Sequence, residues 1–166
     1  PLPRSGYYLG KLAGYTLVAA FTAVPLCCLL LFLAPGIASL IWGLSMMMEL
    51  LLVSAVSLLF AFAFGQVTAA ISASLLFYLL GRSIAAIQLM AHGPLADQSP
   101  VSQQLMTRLV DTLSYLLPDL DRFSQSGWLV YPGDAGALLM PLAAQTAIYI
   151  VLISAVALFD LNRKNF

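Results

Sequence analysis

The chain has 166 residues, of which 61% are apolar and 8% charged, with a mean hydropathy of +0.96. Soluble domains carry about a quarter charged residues, so this composition has too little polar material to coat a water-soluble fold. Seven basic and seven acidic residues cancel, no basic stripe for nucleic acid exists, and two cysteines are too few for a disulfide framework.

Four long apolar stretches follow one another: Tyr7 to Ala34, Ile37 to Phe64, Gln66 to Ala91 and Ala135 to Phe159. Each exceeds the roughly 20 residues that cross a hydrocarbon core. The first is too long for a signal-peptide h-region and lacks a small-residue cleavage site. Backbone groups in lipid must be satisfied within the segment, and a barrel would show short alternating runs, so the spans are helices. The expected fold is all-α: one polytopic transmembrane bundle of residues 1–166, with four spans and an outer segment over 92–134.

In the first span, Gly6-Tyr7-Tyr8-Leu9-Gly10-Lys11-Leu12 falls short of a phosphate-binding loop, with three residues between its glycines and leucine where Ser or Thr would hold magnesium. Gly6, Gly10 and Gly14 instead form a small-residue face suited to close helix approach, or loosen the helix entry. Cys27 and Cys28 are adjacent and ill placed to bridge each other. With Met46, Met47, Met48 and His92 they show no metal-ligand spacing, so apolar packing is expected, with no metal and no cofactor. Pro25, and Pro141 in the fourth span, are possible kinks.

The links at Pro35-Gly36 and Gly65-Gln66 are so short that spans one to three must run antiparallel and touch. Glu49 in span two and Arg82 in span three lie at depths within about 5 Å of each other on these neighbouring helices. A lone charge at mid-bilayer costs about 3 kcal/mol, so both should face protein or water. They fit either a buried ion pair fixing helix register or a translocation path. Gly81 beside Arg82 permits close approach, and Gln66, Gln88 and Gln145 can bond across helix interfaces.

Beyond span three, Ser99 and Pro100 supply an N-cap and a first helical position, and Val101, Leu105, Leu109, Leu113 and Leu116 recur at spacings of three and four. An amphipathic helix over about 100–117 is predicted, lying on the outer surface or forming a lid. Pro118 ends it, and Asp119 to Asp134 reads as irregular chain returning to the membrane, with Trp128 and Tyr131 as interfacial anchors. This connection carries Asp97, Asp111, Asp119, Asp121 and Asp134 against Arg108 and Arg122, whereas Arg4, Lys11, Arg163 and Lys164 lie near the termini. The positive-inside rule then puts both termini in the cytoplasm. No serine stands in a nucleophile elbow and no HExxH occurs, so the chain itself is not expected to be an enzyme.

Three stretches carry a family resemblance. Arg4-Ser5-Gly6-Tyr7-Tyr8-Leu9-Gly10-Lys11-Leu12 resembles the R-x-x-Y-x-L-G-K stretch after the cytoplasmic coupling segment of permeases of the second, exporter class of ATP-binding cassette (ABC) transporters. Leu117-Pro118-Asp119-Leu120-Asp121-Arg122-Phe123 resembles their L-P-N-L-x-x-F, which precedes the last span, and the short basic tail after Phe159 fits too. The resemblance implies that these spans correspond to the last four of the family's usual six. It also implies a permease subunit in the bacterial cytoplasmic membrane, paired with a second permease chain as a homo- or heterodimer and driven by a separate cytoplasmic ABC ATPase. On that reading Arg4, Tyr7, Tyr8 and Lys11 are candidates for ATPase coupling, and Leu117, Pro118, Asp119 and Phe123 for the outer gate. The competing expectations are a structural or accessory membrane subunit with no transport of its own, and an ion-coupled carrier using Glu49.

Overall fold

The computed structural model describes residues 4–34, 36–91, 107–114, 117–130 and 135–163. Helix α1 runs Arg4–Leu33, α2 Ile37–Ala63 and α3 Val67–Ala91; residues 107–114 form α4, Gly127–Val130 a single turn α5, and Ala135–Arg163 the long α6. Among the described residues there is no strand. Four segments, Gly6–Leu33, Ile37–Ala63, Val67–Met90 and Gly136–Leu161, are long and apolar enough to cross a bilayer, which makes the chain an integral membrane protein with an all-α bundle. Their bounds fall within a few residues of the stretches read from hydropathy.

The helices persist because each backbone bond is closed internally, and their Ser and Thr side chains add to this. Thr16, Ser54, Ser74 and Thr146 donate to the carbonyls four residues earlier at 2.6–2.8 Å, so a hydroxyl can sit in an apolar span without an unpaired donor. Pro25 and Pro141 lie inside continuous helices. α2 ends where Phe64 turns extended (φ −92°, ψ 131°), its N–H still bonded to Phe60 O at 2.9 Å, and Gly65 and Gln66 form the tight link to α3.

α2 is the axis of the bundle, packed against α1, α3 and α6 and touched by α5. Its glycines and serines let neighbours close in: a Cβ on Gly43 would stand 2.8 Å from Cys27 Cβ, so α1 and α2 meet there at backbone range. Two small cores result. One, toward the Gly65 end, joins Tyr8, Leu58 and Ala157. The other joins Leu52, Val56 and Leu142 of the long helices to Leu120, Phe123 and Trp128.

That second core changes the picture of the connection before the last span. Asp119 to Asp134 was expected as irregular chain, with Trp128 at an interface. Instead Leu120–Arg122 make a 3₁₀ turn, Gly127–Val130 an α turn, and Trp128 is 5% exposed inside the core. Within α4, Val110 is buried against protein, whereas Leu109 and Leu113 of the apolar stripe are 63% and 42% exposed and free to meet lipid. Residues 100–106, His92 and Tyr131 lie outside the described residues.

Candidate functional site

The site is the seat in which residues 117–124 are held. Leu117 N–H bonds Leu113 O of α4 at 2.8 Å, and from Pro118 the chain folds back into the bundle. Leu120 N–H bonds Pro118 O at 2.8 Å, and Arg122 and Phe123 N–H close the 3₁₀ turn on Asp119 O and Leu120 O at 3.2 Å. Leu120 and Phe123 are completely buried and Pro118 nearly so. Gly81 makes room for this: a Cβ there would stand 2.8 Å from Leu120 Cδ1 and 3.4 Å from Pro118 O. The close approach expected at Gly81 is therefore made by the returning segment.

Glu49 and Arg82 pair, Oε1 to Nη1 at 3.1 Å, with side-chain exposures of 9% and 39%. Glu49 stands near the midpoint of the 27-residue α2, so the pair sits deep in the spans. Each member also holds the returning segment. Arg82 Nη1 donates to Leu120 O at 3.2 Å, and Ser124 Oγ donates to Glu49 Oε2 at 2.8 Å. Two further α2 side chains complete the seat: Ser124 N–H donates to Ser45 Oγ at 3.1 Å, and Trp42 Nε1 donates to Ser124 O at 3.0 Å. Non-helical backbone at membrane depth is tolerated only when protein satisfies and covers it, and three of these four bonds serve backbone groups of the segment.

Ser124 takes a left-handed conformation (φ 52°), uncommon for a residue other than glycine and costing about 1 kcal/mol or more. It is used completely. Its N–H, carbonyl and hydroxyl each bond a different α2 residue, and Trp42, Ser45 and Glu49 sit at spacings of three and four along one face of that helix.

Of the outer-gate candidates, Leu117, Pro118 and Phe123 are buried in this seat, while Asp119 is half-buried and pairs with Arg122 Nε at 3.1 Å. A cleft of about 270 Å³ between the segment and α6 is lined by Arg122, Gln125, Gln145 and Pro141 among others. The coupling candidates lie far along the bundle, at the start of α1. Tyr8 is fully buried and donates to Ser154 Oγ at 2.9 Å, tying α1 to α6. Tyr7 is about half exposed with Lys11 Nζ 5.4 Å from its ring centre, and both border an open groove that includes Gly10 and Gly14. Nothing within 4 Å would meet a Cβ on either glycine, so among the described residues their face is uncovered. The Arg4 side chain lies outside the described residues.

Reading the sequence missed Trp42, Ser45, Leu120 and Ser124. The spacing of Trp42, Ser45 and Glu49 on one face was an available signal; the left-handed Ser124 that meets them was not. No known protein family, curated protein or solved structure matches the chain.

Proposed function

We propose that the chain is the membrane-spanning permease subunit of an ATP-driven exporter of the second ABC class, forming a translocation path with a second permease chain and driven by a separate cytoplasmic ATPase. The observation that carries this reading is the placement of Leu117-Pro118-Asp119-Leu120-Asp121-Arg122-Phe123. The stretch that resembles the exporter motif is the one folded back into the bundle ahead of the last long helix, with Pro118, Leu120 and Phe123 buried. A segment that re-enters between spans suits a gate, since its withdrawal would open a path along α2 and α3. In this reading both termini are cytoplasmic, the membrane is the bacterial cytoplasmic membrane, and the exposed Tyr7 and Lys11 face the ATPase.

The test is purification of the tagged protein from its native membrane, followed by reconstitution. An ATPase carrying a Walker motif should copurify and be stimulated in liposomes containing the permease. Purification without such a partner would refute the reading. An accessory subunit without transport is the second reading, favoured by one observation: the two charges near mid-span, Glu49 and Arg82, are engaged in holding the chain's own segment.

A further inference from the structure

The exporter reading leaves unexplained why an ion pair, and not apolar packing, sits where α2 and α3 meet the returning segment. A pair that served only to fix the register of α2 against α3 would need one contact, Glu49 Oε1 to Arg82 Nη1. Each partner here has a second bond, and both second bonds go to the same short stretch. Arg82 takes the Leu120 carbonyl and Glu49 takes the Ser124 hydroxyl, so the two ends of the 120–124 turn are gripped by opposite halves of one salt bridge. The grip is aimed at a strained element, because Ser124 holds φ 52° only while Ser45 and Trp42 accept and donate to its backbone. Residues 117–124 belong to none of the four spans, so the turn can leave without unwinding one.

We infer that Glu49 and Arg82 are a two-armed latch for a detachable plug, residues 117–124, with Trp42 and Ser45 forming the rest of its socket. The charges are positioning residues for the plug. When the plug is out, the salt bridge remains and neither charge is orphaned, and Ser45, now wholly buried, becomes the exposed floor of the socket.

The experiment reads that floor. In a background of Cys27→Ala and Cys28→Ala, the Ser45→Cys thiol, whose sulfur remains a weak acceptor for Ser124 N–H while the two arms of the ion pair stay in place, is titrated with a water-soluble maleimide supplied to both faces of proteoliposomes. Labelling of the parent should be slow. It should rise about tenfold or more in Glu49→Gln and in Ser124→Ala, the factor expected for losing one hydrogen bond to a charged group. The exchange Glu49→Arg with Arg82→Glu separates a latch from a register pin: it keeps an ion pair, but a carboxylate at 82 has no proton to give Leu120 O, so fast labelling is expected from a protein that still elutes as a folded species. Parental labelling rates in the exchange variant would overturn the inference. So would unchanged rates in both single variants, or a parent already labelled as fast as an exposed thiol. Should the exchange fail to fold, Ser124→Ala, which deletes only the hydroxyl that donates to Glu49 Oε2, decides in its place: faster labelling supports the latch, and an unchanged rate refutes it. Neither ATPase nor cargo is required, so the outcome is independent of the exporter reading.

Discussion

Gly81 and Leu120 offer a sharp test of the docked segment. An alanine at an exposed mid-helix glycine usually gains about 1 kcal/mol of helix propensity. At Gly81 the added methyl would stand 2.8 Å from Leu120 Cδ1 and 3.1 Å from Leu120 Cγ, closer than packed carbons come, and crowding of this kind costs about 1–3 kcal/mol. The near atoms belong to the end of a flexible side chain, so part of the strain relaxes, and Gly81→Ala should destabilise by about 1 kcal/mol net. Leu120→Ala removes a fully buried side chain and should cost about 2–3 kcal/mol, the lower part of the range for such truncations because a short turn outside the long helices can partly collapse into the void. Together the two changes should compensate. In the Leu120→Ala background the Gly81 methyl enters space already vacated and regains its propensity, so the double variant should be more stable than additivity predicts by about 1–2 kcal/mol. Detergent unfolding followed by circular dichroism measures all three free energies. Additivity within about 0.3 kcal/mol would show that residues 118–120 do not rest on α3.

Glu49→Ala leaves Ser124 Oγ without its acceptor and Arg82 with only a carbonyl; because Arg82 is 39% exposed, the ion-pair loss is discounted and the expected cost is about 2 kcal/mol in the same unfolding assay. Ser54→Ala, which removes only an intrahelical bond to Leu50 O, should change stability by less than about 0.5 kcal/mol and serves as its control. Tyr8→Phe and Ser154→Ala should each cost about 1 kcal/mol, and the double variant no more than about the larger single effect, since both delete one bond. Phe21 is 82% exposed in the apolar part of α1, so Phe21→Lys should impair insertion by about 3 kcal/mol in a translocon assay; unimpaired insertion would mean that this face does not meet lipid.

The spans were legible because a continuous apolar run of more than 20 residues has one physical outcome in lipid, and the short links at Gly36 and Gly65 fixed their antiparallel order. The proximity of Glu49 and Arg82 was also legible, from depth alone. Their use was not. Hydropathy treats residues 117–124 as a polar connection, and nothing in a one-dimensional profile says that Leu120 and Phe123 turn inward. Leu109 and Val110 show the same limit: a helical stripe tells which residues share a face, and not which face meets protein. Trp128 shows how an aromatic belt residue and a core residue look alike in sequence, since the same amphipathic ring serves either role.

The composition of the seat argues that docking is reversible by design of its charges. An entirely apolar socket would strand greasy surface on opening, and a lone carboxylate on α2 would strand a charge whose cost at mid-span is about 3 kcal/mol. With Glu49 and Arg82 already paired, opening leaves the larger electrostatic contact intact, and the polar groups it uncovers, hydroxyls, a carbonyl and an indole N–H, are ones that water can satisfy. The strain at Ser124 acts in the same direction, since it is released when the segment leaves. What opposes departure is the burial of Leu120 and Phe123 and four hydrogen bonds, each worth about 1 kcal/mol or somewhat more when charged. Ser124→Gly separates these contributions. It relaxes the left-handed backbone and keeps the N–H and carbonyl bonds while deleting the hydroxyl, so it should weaken docking less than Ser124→Ala, which deletes the hydroxyl and retains the strain. Equal effects of the two substitutions on Ser45→Cys labelling would mean that the backbone at position 124 is not strained in the docked state.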